Sequence, residues 1–297
     1  MAEYLPPYSF DRVRIIRRHP FARFMSTNIL VVYKKNHEKV HDQSISKVQQ
    51  VLADADKVSF SMRAREAVSR ADFIGRDLVI VVGGDGTLTS ICHNVGAETP
   101  VMGVNSHPRR DDPEGSLGFF MDSTVDSFAQ DLQCTLEGKA IVNTLPRLQA
   151  TITSTSGNTI KTDPALNDLL IANTHQYAPS KYRLQCGGVD EKQQSSGLLF
   201  STWLGQGAWI SYVAELSSLK ADKRDADSHY FCVSRELASG ECAMSWTNKA
   251  TIITSDMHRG YAVPDGWDEY HFNRGASIKV ALDGPTLSLL TFNRQLS

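Results

Sequence analysis

The chain has 297 residues, 41% of them hydrophobic and 22% charged, with a formal net charge of −2. That length fits one large domain or two modest ones, and the near-neutral balance gives no electrostatic case for nucleic acid or an anionic membrane as partner. No apolar run approaches the roughly 18 residues of a spanning helix. The five cysteines (Cys92, Cys134, Cys186, Cys232, Cys242) contain no CxxC pair, so they read as core residues of a reducing compartment rather than a disulfide frame or zinc site.

Residues 1–27 make a basic N-terminal extension, in which DRVRIIRRHPFARF carries five arginines and no acid after Asp11. Scarce serines and the lack of an amphipathic pattern favour a surface extension and a cytoplasmic chain. Taken as a transit peptide, the same stretch would make the protein mitochondrial. An α/β domain is expected over 28–142. NILVVYKK supplies its first strand, and DQSISKVQQVLADA a helix with Ile45, Val48, Val51 and Leu52 on one face, capped by Asp42 or Ser44. The aliphatic run LVIVV at 78–82 reads as a strand buried on both faces. A helix from Thr87, the strand PVMGVN and the helix TVDSFAQDLQCTLEG continue an alternation typical of doubly wound α/β sheets.

After NTLPRL the texture changes, and a mainly-β, sandwich-like domain is expected over 143–285. LQATITSTSGNTIKT reads as a hairpin around Ser156, Gly157 and Asn158, and ALNDLLIAN, YRLQCGG, SGLLFST, KATIITS and SIKVALDG as further strands. One helix is expected from about Gly207 through WISYVAELSSL, and KADKRDADSHYFCVSREL reads as a charged, solvated loop. The closing TLSLLTF, within 286–297, is a strand that either domain can take up.

The stretch VVGGDGTL carries the chemistry. A strand ending in glycines lets a ligand approach the main chain closely, and the following helix N-terminus offers unpaired N–H groups and a positive dipole end. Gly83, Gly84, Gly86 and Thr87 thus outline an anion cradle, without the GK[ST] of a Walker loop. A carboxylate inside such a cradle repels phosphate unless it binds magnesium or takes a proton from a hydroxyl nucleophile. Asp85 is therefore either the reactive group or a cap on a tight strand–helix turn.

VVGGDGTL resembles the signature of the NAD kinase and diacylglycerol kinase superfamily. MGVNSHP and GSLGFF, ALNDLLIAN, SSGLLFSTWLGQGAW and GASIKVALDG are similar, in order, to the later motifs of NAD kinases. The variants resemble the plant NADH-kinase and mitochondrial-type branch. The resemblance spans roughly 28–292 and implies an N-terminal α/β domain, a C-terminal β domain and an active site in the cleft between them.

It further implies transfer of the terminal phosphoryl of ATP, with Mg2+, to the adenosine ribose 2′-hydroxyl of NAD or NADH. Asp85 would orient and deprotonate that hydroxyl. Since an aspartate carboxylate is ordinarily a poor base for an alkyl hydroxyl, positioning and charge neutralisation would do most of the work. Asn167 and Asp168 match the pair that reads the nucleotide, amide to adenine and carboxylate to ribose; Phe119 matches the residue that stacks on adenine. Asn105, Ser201, Gly205, Gly207, Ala208 and Trp209 fall in the remaining nucleotide-binding motifs. No protein metal ligands are implied, and the family's habit implies a homodimer or homotetramer.

One segment departs from the pattern. Leu204, Gln206 and Gly207 stand where relatives carry hydroxyls, each worth about 0.5–1.5 kcal/mol as a hydrogen bond. Main-chain N–H groups of a turn at Gly205 and Gly207 are the expected substitute. Two alternatives stay open: an activity-poor dinucleotide-binding paralogue, and a lipid kinase of the same superfamily, which should lack the later motifs.

Overall fold

The structure is a computed structural model that describes residues 26–35, 39–109 and 113–292. Residues 1–25 of the expected N-terminal extension lie outside the described residues. Contacts divide the chain into two compact units. One takes the described residues up to Thr144 together with those from Leu287; the other is Leu145–Thr286.

The first unit runs β1 (Thr27–Tyr33), α1 (Lys39–Asp54), β2 (Val58–Ala64), β3 (Leu78–Gly83), α2 (Asp85–Cys92), β4 (Val101–Asn105), β5 (Ser123–Thr124), α3 (Phe128–Leu136) and β6 (Ile141–Leu145). Its sheet is ordered β2-β1-β3-β4, then the chain's last strand, then β6, with β5 added beside β4. The pairs β1·β2, β1·β3 and β3·β4 are parallel, with Val31 opposite Ile80 and Val81 opposite Gly103. Every residue of β3 is buried, as a parallel strand covered on both faces requires. The chain moves outward from β1 to β2 and returns on the other side as β3. The carboxyl ends of β1 and β3 thus form the switch point at which open sheets bind ligands. GGDGT follows β3 there.

Two helix starts differ from expectation. α1 begins at Lys39, so Asp42 and Ser44 sit inside it rather than capping it; the Ser44 hydroxyl instead donates to the Ser106 carbonyl at 3.2 Å. α2 begins at Asp85, two residues before Thr87, with Gly84 as an extended N-cap that lends no side chain. β2 was not expected. It is a strand without one fully buried residue, so no apolar run marks it.

The second unit comprises β7 (Gln149–Thr153), β8 (Thr159–Lys161), β9 (Asp168–Asn173), β10 (Ser180–Cys186), β11 (Val189–Ser195), β12 (Leu198–Ser201), β13 (Tyr230–Ser234), β14 (Met244–Thr247), β15 (Thr251–Ser255), β16 (Gly260–Pro264), β17 (Tyr270–His271) and β18 (Ser277–Ala281). They form two six-stranded sheets, β11-β10-β15-β18-β7-β8 and β14-β13-β12-β9-β16-β17. Ile152, Leu184, Ile253 and Ile278 from the first share one core with Leu169, Ile171, Phe200 and Ala262 from the second. That is a sandwich. The hairpin at Ser156 to Asn158 joins antiparallel β7 and β8.

The expected helix after Gly207 is absent. Residues 204–218 form short 3₁₀ turns at Leu204–Gly207, Trp209–Tyr212 and Leu216–Ser218. Two glycines and a run of aromatic and β-branched residues disfavour an α-helix here. Packing decides the rest: Ile210, Val213, Leu216 and Leu219 lie on Leu199, Phe231 and Val233, covering the outer face of β12 and β13. The expected solvated loop is also corrected, because its YFCVS is the fully buried β13. The closing strand, β19 (Leu287–Thr291), joins the first unit beside β4.

Candidate functional site

In the first unit, GGDGT and GSLGFF fold into one structure. The Asp85 Oδ2 accepts N–H bonds from Gly118 at 3.1 Å and Phe119 at 3.0 Å, and the Ser116 hydroxyl at 3.3 Å. Oδ1 accepts the Phe120 N–H at 2.7 Å. Asp85 therefore does not cap α2; it ties the loop at 116–120 to the turn after β3. With about four lone-pair directions on a carboxylate, Oδ1 keeps one for a ligand.

The glycines divide by what surrounds them. A Cβ on Gly83 would lie 2.4 Å from the Thr87 hydroxyl, and one on Gly84 would lie 2.9 Å from Ser116. These two are glycine because their own turn is packed tightly. A Cβ on Gly86 would meet nothing within 4 Å, so Gly86 is the member of the motif with open space before it. Thr87 is 3% exposed and packs inward. Asn105 ends β4 with its amide engaged at both ends: Nδ2 donates to the Ser116 carbonyl at 3.3 Å and Oδ1 accepts the His107 N–H at 3.1 Å. Phe119 is partly exposed and meets Phe120 edge-on, ring centroids 4.9 Å apart.

In the second unit, Asp168 opens β9 and Asn167 immediately precedes it. The Asn167 Oδ1 is buried and has no hydrogen-bond partner among the described residues. Asp168 keeps some accessible surface, yet burial of its carboxyl, and next the charge of Asp265, pushes its pKa up to about 7. Ser201 and Thr202 are fully buried. The Ser201 hydroxyl donates to the Asn167 carbonyl at 3.1 Å, and the Thr202 hydroxyl to the Leu166 carbonyl at 2.7 Å. Ser201, expected to bind nucleotide directly, is thus turned inward and acts on the backbone of Asn167.

The turn at 204–209 differs from the expected cradle. A Cβ on Gly205 would lie 2.3 Å from the Asn167 carbonyl oxygen, so this glycine is required by close packing. Around Gly207 there is open space, and its N–H is not at a helix start. The Ala208 N–H is already spent on the Gly205 carbonyl at 2.8 Å, and the Gln206 amide on the Trp203 carbonyl at 2.9 Å. Trp209 is 37% exposed, with the Arg235 guanidinium 4.8 Å above its ring.

Sequence reasoning missed Ser116, Thr202 and Asp265, which organise the two motifs without belonging to their reactive positions. The positive-φ turn after Pro264, with Asp265 at φ 47°, was the one local signal available, in the PDG of VPDGW.

The chain thus combines a strand–GGDG–helix turn at the switch point of a parallel sheet with a β-sandwich unit. Residues 12–140 match the family described as the ATP-NAD kinase N-terminal domain. The NAD kinase of Acidovorax sp. (strain JS42) is 30% identical over 140 residues, 46% of this chain and 44% of its own. The NADH kinase of Arabidopsis thaliana is 30% identical over 132 residues, 41% of each chain. The chain spans about half the length of the curated relatives it matches. Among solved structures, yeast NADH kinase complexed with NADH superposes with a TM-score of 0.72 at 13% identity, over 91% of this chain and 85% of its own. An NAD kinase from Archaeoglobus fulgidus in complex with ATP gives 0.67 at 16% identity, over 90% and 94%. At these identities the likeness is one of fold.

Proposed function

We propose that the protein transfers the terminal phosphoryl group of ATP to the adenosine ribose 2′-hydroxyl of NAD or NADH, giving NADP or NADPH. The observation that carries this reading is the Asn167/Asp168 pair, a buried amide oxygen without a partner beside a carboxyl held near neutrality. An adenine exocyclic amino group supplies the donor that Asn167 lacks, and ribose hydroxyls supply donors to Asp168. In the first unit, the remaining Oδ1 lone pair of Asp85 orients the attacking hydroxyl and receives its proton late, in a loose transition state. Gly86 and the start of α2 face the phosphates, and Phe119 the adenine. Relatives in complex with NADH and with ATP support the choice of acceptor and donor.

Magnesium, arriving on the ATP phosphates, would neutralise charge there. The described residues contain no group of three or more His, Cys, Asp or Glu able to hold a metal ion. Among the described residues no helix is long and apolar enough to cross a membrane. We place the protein in a reducing compartment, cytoplasmic or mitochondrial, on its five free cysteines, as a homodimer or homotetramer without nucleic-acid or membrane partners. Light scattering tests the assembly.

The deciding assay combines the purified chain, Mg2+, ATP or polyphosphate, and NAD or NADH, with chromatographic detection of the 2′-phosphorylated product. Product formation is expected. The hypoxanthine analogue of NAD, whose O6 would face the Asn167 oxygen, should be a poor acceptor. A second reading, a dinucleotide binder with little turnover, is favoured by the four donors already on the Asp85 carboxylate. It predicts NADH binding by calorimetry with no product.

A further inference from the structure

Asp265 stands outside every motif that marks the candidate site, yet its carboxylate takes three main-chain donors from one segment. Oδ2 accepts the Leu166 N–H at 2.6 Å; Oδ1 accepts those of Asn167 at 2.9 Å and Asp168 at 3.0 Å. The Asp265 N–H returns a bond to the Asp168 carbonyl at 2.8 Å. From the other side, the Thr202 hydroxyl and N–H take the carbonyls of Leu166 and Asn167 at 2.7 and 3.0 Å. All three N–H and all three C=O groups of residues 166–168 are thereby satisfied without using the side chain of Asn167 or Asp168. We propose that Asp265 is a positioning residue for the acceptor nucleotide, holding this segment by its main chain so that both side chains are left for the ligand. The inference rests on the reading that Asn167 and Asp168 bind the dinucleotide.

The chemistry calls for a carboxylate. Donors converge on both oxygens, so an amide at this position would turn its own N–H groups against a backbone N–H. Asp265 is itself fixed: it adopts φ 47° at the end of β16, whose Pro264 and Val263 pair with Leu169 and Leu170 of β9. Burial pushes the Asp265 pKa up, opposed by its three N–H donors and by the charge of the buried Arg147, which is held in turn by the carbonyls of Pro285 and Thr286. The charge acting on Asp168 is that of Asp265, while Arg147 acts on Asp265. Removing the Asp265 charge therefore leaves Asp168 easier to ionise.

Asp265→Asn in the full chain tests this, because asparagine tolerates the left-handed backbone as aspartate does. The acceptor KM should rise at least about 10-fold, with kcat and the ATP KM within about 3-fold. An inflection in acceptor kcat/KM is expected near pH 7 from Asp168 and should move to lower pH in the variant, which loss of stability alone does not produce. Equal effects on both substrates, or an acceptor KM and inflection like wild type, overturn the proposal while leaving the kinase reading intact. A wild-type protein that neither binds NADH nor turns over overturns both. Should Asp265→Asn not fold, Thr202→Val frees the same segment at the Leu166 carbonyl, where the hydroxyl holds it. The same acceptor-selective rise then supports the proposal, and an unchanged acceptor KM overturns it.

Discussion

At the scale of single residues, the loop-tying role of Asp85 and its proposed catalytic role can be separated by mutation. Its carboxylate ties the loop at 116–120 to the turn after β3 through Ser116 and three N–H groups, and the proposed reaction uses its remaining lone pair. Asp85→Asn should lower turnover by about 10²-fold or more, the usual size of a lost proton acceptor. Its amide nitrogen must also face main-chain donors, so about 1–3 kcal/mol of stability should go with it. Ser116→Ala removes one tie and leaves the carboxylate, so urea melts and kcat for both variants separate the roles. Near wild-type kcat in Asp85→Asn would reduce Asp85 to a loop anchor. Asp168 gives a second test, through pH. Burial and the neighbouring Asp265 raise its folded pKa to about 7, above the unfolded value of about 3.9. The folded state therefore binds the extra proton, and this group's contribution to stability is lost as pH rises from about 4 through 7. Asp168→Asn has no such dependence, so its Tm should gain on wild type between pH 5 and pH 8. A constant Tm difference across that range would mean that Asp168 titrates normally.

At the scale of elements, the turn at 204–209 is held from beneath by Asn167. Gly205→Ala places a methyl 2.3 Å from the Asn167 carbonyl oxygen, and overpacking of that kind costs about 1–3 kcal/mol. Gly207→Ala enters open space and should stay within about 0.5 kcal/mol of wild type. Denaturant titration with acceptor KM checks the pair; a silent Gly205→Ala with a damaging Gly207→Ala would restore the main-chain cradle at Gly207. The elements legible in the sequence were those with one dominant signal. LVIVV followed by GGDGT announces a buried strand, a turn and a helix, because β-branched aliphatics and glycines leave few other conformations open. The strands of ALNDLLIAN, SGLLFST and SIKVALDG alternate or run apolar for the same reason. β2 carries serines and an arginine with no fully buried position, and β13 follows a charged run, so neither stands out. The 3₁₀ turns at 204–218 imitate a helix because Ile210, Val213 and Leu216 fall at helical spacing, yet they are spaced to cover β12 and β13. Asp265 and Thr202 act on backbone groups far away in sequence, and Ser116 on the distant Asp85 carboxylate; side-chain motifs do not encode such partners.

At the scale of the whole molecule, the chain leaves its first sheet, builds the sandwich and returns to finish what it began. Nothing in the alternation of TLSLLTF says which sheet it joins; the destination is set by neighbours more than a hundred residues earlier. β19 lies between β4 and β6, an interior place. Leu287, Leu289 and Leu290 are at most 1% exposed. Asn143 donates to the Leu289 carbonyl at 3.4 Å and to the Thr291 hydroxyl at 2.8 Å, and Ser288 to the Ala97 carbonyl at 3.1 Å. Burying three leucines contributes roughly 4.5–9 kcal/mol at about 1.5–3 each, comparable with the whole stability of a domain. A chain ending at Thr286 should therefore lose hydrogen-exchange protection in β3, β4 and β6, and with it the proposed phosphoryl transfer. The sandwich strands β9, β10, β12 and β15, whose core lies within Leu145–Thr286, should keep theirs. If β3 and β4 stay protected in the truncated chain, the first sheet is complete without its last strand, and β19 is an accessory rather than its closing element.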